Sequence, residues 1–290
     1  MTITEPGIYT LTAEAYHADP ALGSTGARLL VNECPAAYRL NVSESKTEFD
    51  IGTAAHLLVL EPDAFGAKVA AIPFDSYRTK AAQEARDAAR VEGRTPLLPD
   101  QLAAVQAMRD AILADPVAGR AFQGGAAEQS LFWRDPEFGV ICKTRPDWLP
   151  GHGRYLVDIK TSTNANPKKF EKAIAEFGYH QQAAWYLDGV EAVTGTRPAR
   201  FAFVVVSKKA PHLVTTCWID DEAIQWGRIL NRRARGLFAW CLEHDQWPAF
   251  QPDIIGQRAA FTVGLPHWAK TDLERRHEAG EFTPPQEIAA

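Results

Sequence analysis

The chain has 290 residues, of which 46% are hydrophobic and 10% aromatic, and its formal net charge at neutral pH is −5. A chain of this length and apolar content can bury a substantial core, which excludes an intrinsically disordered protein. The negative net charge excludes an indiscriminate polycation, but it is compatible with a local basic groove that binds nucleic acid.

The first residues lack the basic flank and the long apolar run of a signal peptide, and no stretch approaches the roughly 18–20 apolar residues of a membrane span. The four cysteines are far apart and never form C-x-x-C, so we expect no disulfide framework. We therefore expect a cytoplasmic protein with no membrane partner.

The first part of the chain predicts an extended lead-in over residues 1–22 and then three helices. The helices cover residues 27–34, 51–61 and 100–114, and a proline stops each of them. Ser24-Thr25-Gly26 caps the first helix and Asp100 caps the third. The strongly apolar surroundings of His56 indicate that its side chain faces protein rather than solvent. The alternating charges of residues 63–99 predict a helical excursion or a mobile insertion.

The pattern then changes to strands. Three β-branched and aromatic runs are separated by two short glycine-containing loops, PEFG and PGHG. A helix over 167–190, two further strands and a long helix over 220–243 follow. This order predicts one mixed α/β domain over residues 1–250, with the charged insertion inside it, and an irregular C-terminal extension over 251–290.

The PGHG loop brings two carboxylates and a lysine to one face of the predicted sheet. If PGHG is a four-residue hairpin loop, Asp147 pairs with Leu156, and Asp158 then lies one diagonal step from Asp147 on the same face. Lys160 follows two residues later on the same strand, so it projects from that face as well.

Treated in the same way, the PEFG loop pairs Asp135 with Val140 and places Glu128 directly opposite Asp147. A slip of one residue would move Glu128 to the other face, so its place in the cluster depends on the loop. Clustered carboxylates repel each other unless a cation neutralises them. Oxygen ligands select a hard ion, Mg²⁺ or its substitute Mn²⁺, and such an ion can polarise a phosphodiester and lower the pKa of bound water.

Five segments of the chain carry a family resemblance: GTAAH, EQS with a tryptophan two places on, CKTRPDWL, DIKTS and YHQQAAWY. Together they resemble the RecE-type exonuclease domain (exodeoxyribonuclease VIII) of the RecB-like branch of the PD-(D/E)xK nucleases. The resemblance covers about residues 24–247. It implies a restriction-endonuclease-like core with a central mixed sheet flanked by helices. It also implies degradation of linear double-stranded DNA from the 5′ end, which leaves 3′ overhangs for recombination.

The resemblance also implies roles for individual residues. The metal ligands that it implies are His56, Asp147, Asp158 and the backbone carbonyl of Ile159. Lys160 would be the catalytic lysine, and Gln182 and Tyr186 fit the Q-x-x-x-Y element of the RecB-like branch. Tyr179 shares their helical stripe, which borders the DNA, braces the metal site or simply packs against the sheet.

Basic side chains near these motifs are candidates for contacts with the DNA backbone. They are Arg28, Arg78, Lys80, Arg145, Lys168 and Lys169. The late cysteine cluster of the iron–sulfur relatives is missing, and so is G-x-x-x-x-G-K-[ST], so we expect neither an iron–sulfur cluster nor an ATP motor. The expected partners are double-stranded DNA ends, a single-strand annealing protein and further copies of the chain in a ring.

Two other functions remain open on the same residues. The first is an endonuclease or flap-cutting enzyme, because the metal chemistry does not require a free DNA end. The second is a catalytically weak DNA-binding module that retains the fold. The intact set of Asp147, Asp158 and Lys160 argues against the second, because a retired site has no chemical reason to keep these residues together.

Overall fold

The structure is a computed structural model that describes residues 2–40, 47–250 and 261–283. The chain divides into two compact units, Met1–Ala249 and Phe250–Ala290. Among the described residues, no helix combines the length and the low polarity that are needed to cross a membrane.

The first unit contains all of the described strands and all but one of the described helices. Its strands are β1 (Gly7–Tyr9), β2 (Val69–Ala71), β3 (Thr95–Leu97), β4 (Gly125–Ala127), β5 (Ser130–Arg134), β6 (Ile141–Thr144), β7 (Trp148–Pro150), β8 (Tyr155–Ser162), β9 (Arg200–Ser207) and β10 (Val214–Trp218). Its helices are α1 (Ala13–Ala18), α2 (Ser24–Asn32), α3 (Pro35–Leu40), α4 (Thr47–Leu60), α5 (Pro62–Lys68), α6 (Lys80–Val91), α7 (Pro99–Ala114), α8 (Ala118–Ala121), α9 (Pro167–Glu176), α10 (Tyr179–Thr194) and α11 (Asp221–His244).

A five-stranded mixed sheet in the order β10-β9-β8-β7-β4 is the centre of this unit. β8 and β9 are parallel, and the other neighbouring pairs are antiparallel. A parallel pair needs a long crossover, and α9 and α10 supply it between β8 and β9. The mixed α/β architecture with helices around a central sheet is therefore confirmed.

The two faces of β8 and β9 pack against different helices. Val157 and Ile159 join one apolar core with residues of α4 and α7, whereas Leu156 joins a second core with residues of α9 and α10. Because side chains alternate along a strand, Asp158 and Lys160 lie on the same face as Leu156, beneath α10.

A second sheet of three strands, in the order β1-β5-β6, continues from the first. The chain passes from β4 in the larger sheet to β5 in the smaller one at Glu128, whose φ is +53°. A residue with a side chain adopts this left-handed conformation at a cost of roughly 1–2 kcal/mol, which marks Glu128 as a structurally special position.

The charged segment 63–99 is more than a helical excursion. It contains α5 and α6 and also the strands β2 and β3, which pair in parallel to form a small separate sheet. An ion pair of 2.9 Å between Arg90 and Asp50 ties α6 to α4. A strand of three residues shows too little alternation of apolar and polar side chains to be predicted from the sequence.

Three further expectations about local structure need correction. The lead-in 1–22 is not simply extended, because it contains β1 and α1, with Thr12 capping α1. The helix expected over 167–190 is two helices, separated at Gly178, whose φ of +64° ends the α-helical geometry. The extension 251–290 is not wholly irregular, because its described part contains α12 (His267–Glu278), which carries helix-spaced ion pairs.

Candidate active site

Asp147 and Asp158 face each other across neighbouring strands. Trp148 pairs with Val157, and the same register places Asp147 opposite Asp158. The predicted pairing of Asp147 with Leu156 is therefore wrong, because β7 extends through Pro150 and the loop lies one residue further along the chain. The correction shifts the register by two residues, so both carboxylates stay on the same face.

Glu128 completes a group of three carboxylates. The predicted register of the PEFG loop is confirmed, since the Asp135 N–H donates to the Val140 carbonyl at 2.9 Å and the same pairing continues along the hairpin. The Glu128 N–H donates to the Asp147 carbonyl at 3.2 Å. Glu128 therefore lies beside Asp147 at the junction of the two sheets.

His56 reaches this group from α4. Its Nε2 lies 2.9 Å from Oδ2 of Asp147, and its Nδ1 lies 3.6 Å from Oε1 of Glu128. The Ile159 N–H donates to the same Asp147 oxygen at 2.7 Å. One ligand atom from each of His56, Glu128 and Asp147 lies within 4.8 Å of the others. An imidazole and two carboxylates at this spacing fit a divalent metal ion.

The pKa values of these three groups reflect burial and mutual proximity. Burial lowers the pKa of His56, but the Asp147 carboxylate more than offsets this and raises it to about 9. Burial and the charge of Asp147 raise the pKa of Glu128 to about 7. Burial acts to raise the pKa of Asp147 too, yet the His56 cation holds it below its ordinary value. His56 and Asp147 therefore form an ion pair, and the neighbouring carboxylate of Glu128 titrates near neutral pH.

Asp158 and Lys160 form a buried ion pair next to this group. Nζ of Lys160 lies 2.5 Å from Oδ2 of Asp158, and Gln182 donates to Oδ1 of Asp158 at 2.7 Å. Burial and the charge of Asp147 raise the pKa of Asp158 to about 6. Burial lowers the pKa of Lys160, but the two aspartates outweigh this effect and leave it above its ordinary value. Lys160 is therefore held as a cation.

The two tyrosines predicted on α10 have different surroundings. Tyr179 lies over Lys160, with Nζ 4.8 Å from the ring centroid, and it also packs against the aromatic ring of Phe203. Its role therefore combines packing with a cation–π contact. Tyr186 lines the cavity in front of Asp147, and burial keeps its pKa well above the ordinary value.

A cavity of about 910 Å³ opens in front of the carboxylates. Glu128, Asp147 and Tyr186 line one part of it, and α1 and the first turn of α2 line another. The sequence analysis missed the contribution of α1, because a six-residue helix in the lead-in gives almost no periodic signal.

The six cations that were predicted to contact DNA have different surroundings. Lys168 and Lys169 are exposed on α9, and Arg78 and Lys80 are exposed at the start of α6. Arg28 donates to the Phe177 carbonyl at 2.7 Å and so braces α2. The sixth cation, Arg145, forms an ion pair with Glu128 at 2.7 Å, which no sequence pattern predicts.

Comparisons with known proteins agree with this architecture. Residues 30–252 match a family described as a PDDEXK-like domain of unknown function (DUF3799). The comparison with curated proteins gives no significant match. A crystal structure from Eubacterium rectale, described as a "Putative exonuclease", is similar with a TM-score of 0.60 and 13% identity, over 91% of this chain and 98% of that chain. At that identity the likeness shows the fold alone.

The matched range covers most of the chain and includes His56, Glu128, Asp147, Asp158 and Lys160. It begins within α2 and ends beyond α11, so it also includes the whole five-stranded sheet. The chain therefore belongs to the family of PDDEXK-like domains and has a PD-(D/E)xK nuclease fold.

Proposed function

We propose that this protein is a metal-dependent deoxyribonuclease that degrades linear double-stranded DNA from its 5′ ends and leaves 3′ single-stranded overhangs. The observation that carries the proposal is the placement of His56, Glu128 and Asp147 within 4.8 Å of one another, beside the buried pair of Asp158 and Lys160. The exonuclease resemblance of the sequence motifs supplies the polarity and the link to recombination.

The residues divide the chemical work between them. His56, Glu128 and Asp147 would hold the ion, with Asp158 and the carbonyl of Ile159 as further ligands, and Mg²⁺ is the ion that we propose. When bound, a divalent ion polarises the phosphodiester and lowers the pKa of its bound water.

Lys160 adds the second part of the chemistry. Because it is held as a cation, its ammonium group can offset the negative charge that develops on the phosphate during hydrolysis. Gln182 fixes the carboxylate of Asp158 through one oxygen and so leaves the other oxygen for Lys160. Lys160 is thus oriented by side chains of a strand and a helix, β8 and α10.

The cavity supports cleavage from an end. It reaches the first turn of α2, which has no side-chain cap, so the N–H groups there have no partner within the helix. The Oγ of Ser24 is buried without a hydrogen-bond partner. Helix N-termini and hydroxyl groups bind phosphate well, so a terminal phosphate of a DNA strand suits this cavity.

The decisive experiment compares 5′-labelled linear duplex with covalently closed circular DNA, in Mg²⁺ or in EDTA. Wild type should degrade only the linear substrate and only with Mg²⁺, and Lys160→Ala should abolish the reaction. Lys172→Ala, which changes an exposed lysine on α9 that is not among the predicted DNA contacts, is the matched control and should retain most of the activity. Nicking of the circle would favour an endonuclease, and DNA binding without any cleavage would favour a non-catalytic scaffold.

Two partners belong to the same proposal and derive from the family resemblance. A single-strand annealing protein would receive the 3′ strands, and a ring of subunits would keep the enzyme on its substrate. Cross-linking of the purified protein and processivity on long duplex DNA would test the ring, because a monomer should dissociate after short tracts.

A further inference from the structure

We infer that Arg145 is a positioning residue of the metal site, which holds Glu128 in place as a ligand and anchors it to the N-terminal segment. The inference rests on the proposed function, because it takes the group of His56, Glu128 and Asp147 to be a metal site. It replaces the expectation that Arg145 contacts the DNA backbone.

Arg145 joins Glu128 to the N-terminal segment. Its Nε lies 2.7 Å from Oε2 of Glu128, and its two terminal nitrogens donate to the carbonyl groups of Leu11 and Thr12 at 3.0 and 3.3 Å. The guanidinium also lies 5.4 Å from the ring centroid of Tyr16. Only 12% of the Arg145 side chain is exposed, and this part lines the cavity in front of Asp147.

Glu128 needs an external support. It lies at the junction of two sheets, and its left-handed φ of +53° places it outside regular strand geometry. Arg145 binds Oε2, whereas Oε1 points to His56 at 3.6 Å. The arginine thus occupies one carboxylate oxygen and presents the other to the metal group. The Nε–H of Arg145 is not aligned for a hydrogen bond with Oε2, so the support that it gives Glu128 is the attraction of opposite charges at 2.7 Å.

A neighbouring cation provides a natural control. Lys143 lies two residues before Arg145, and its Nζ donates to the carbonyl groups of Tyr16 and Asp19, both at 2.6 Å. Lys143 therefore fastens the same N-terminal segment, and within the described part of the chain its Nζ bonds to these two carbonyl groups and not to Glu128. A role that consists only of holding the segment would be shared by Lys143 and Arg145, whereas a role in the metal site would belong to Arg145.

The test measures binding of Mn²⁺ alone to the full chain by electron paramagnetic resonance at pH 7.5. Arg145→Met should weaken Mn²⁺ binding at least about tenfold, as loss of a group that orients a metal ligand commonly does. Arg145→Lys should fall between this variant and wild type. Lys143→Met should lower the melting temperature and leave the affinity for Mn²⁺ within about twofold of wild type.

A double variant identifies the route of the effect. If Arg145 acts through Glu128, then Arg145→Met combined with Glu128→Gln should bind Mn²⁺ as weakly as Glu128→Gln alone. Additive losses would overturn the inference. Should Arg145→Met fail to fold, Arg145→Lys decides the matter, and an affinity equal to that of wild type would overturn the inference.

The outcomes also separate this inference from the proposed function. If wild type neither binds Mn²⁺ nor cleaves DNA, the proposed function fails and takes the inference with it. If wild type binds and cleaves, and Arg145→Met raises KM for DNA while it retains wild-type affinity for Mn²⁺, only the inference fails. Arg145 would then be the DNA contact that the sequence analysis expected.

Discussion

Metal binding should compete with a proton on His56. With a pKa of about 9, His56 in the metal-free site is about 99% protonated at pH 7 and about 90% protonated at pH 8. A metal ion binds only the neutral imidazole, whose fraction rises about ninefold between pH 7 and pH 8. Ionisation of Glu128 adds a factor of about two, so the apparent affinity for Mn²⁺ should rise roughly fifteenfold. At pH 8, the binding of each ion should release about one proton, because Glu128 with its pKa of about 7 is already ionised.

Isothermal titration calorimetry in two buffers of different ionisation enthalpy measures this proton directly. The matched control is His56→Gln, which keeps a polar side chain and has no proton to lose, and it should bind Mn²⁺ more weakly without proton release at pH 8. If wild type binds Mn²⁺ at pH 8 and releases no proton, His56 is either neutral beforehand or not a ligand. The reasoning from the ion pair with Asp147 would then be refuted.

In EDTA, the raised pKa of His56 stabilises the folded protein fully below the unfolded pKa of about 6.5, and this stabilisation is lost as the pH rises through about 9. The free energy of unfolding in urea should therefore fall over this range by at most about 1.4 kcal/mol per pH unit, and His56→Gln should lack this decline. Gln182→Leu should cost about 1.5–3 kcal/mol in the free energy of unfolding, because Asp158 loses a buried hydrogen bond. Gly227→Ala should cost about 1–3 kcal/mol in the same assay, since a new Cβ would lie 2.4 Å from a backbone oxygen of α10. Gly66→Ala, which meets nothing within 4 Å, should cost nothing.

The chemistry of the site was predictable from the sequence because strand alternation is robust. Asp158 and Lys160 share a face for any register, since they lie two residues apart on one strand. Asp147 joined them although its predicted pairing was wrong, because the error was an even number of residues. Glu128 depended on one loop, and PEFG closes with the predicted pairing of Asp135 and Val140.

Tertiary relations were the part that the sequence could not provide. Local periodicity says nothing about which helix covers which strand, so the contact of His56 with Asp147 came only from the family resemblance. The inward orientation of Arg145 was unpredictable for the same reason, because its partners Leu11 and Thr12 are more than 130 residues away along the chain. Short elements such as α1 and β2 were not predicted for a different reason, because each contains fewer than two periods of a helical or strand pattern.

The order of strands in the larger sheet has a consequence for synthesis of the chain. β8 carries Asp158 and Lys160 and lies between β7, which precedes it, and β9, which is made about 40 residues later. On the ribosome, β8 can pair with β7 first, but its parallel neighbour forms only after Ser207 has emerged. A polypeptide that ends before Arg200 therefore contains every proposed site residue and lacks the strand against which the ion pair is fixed.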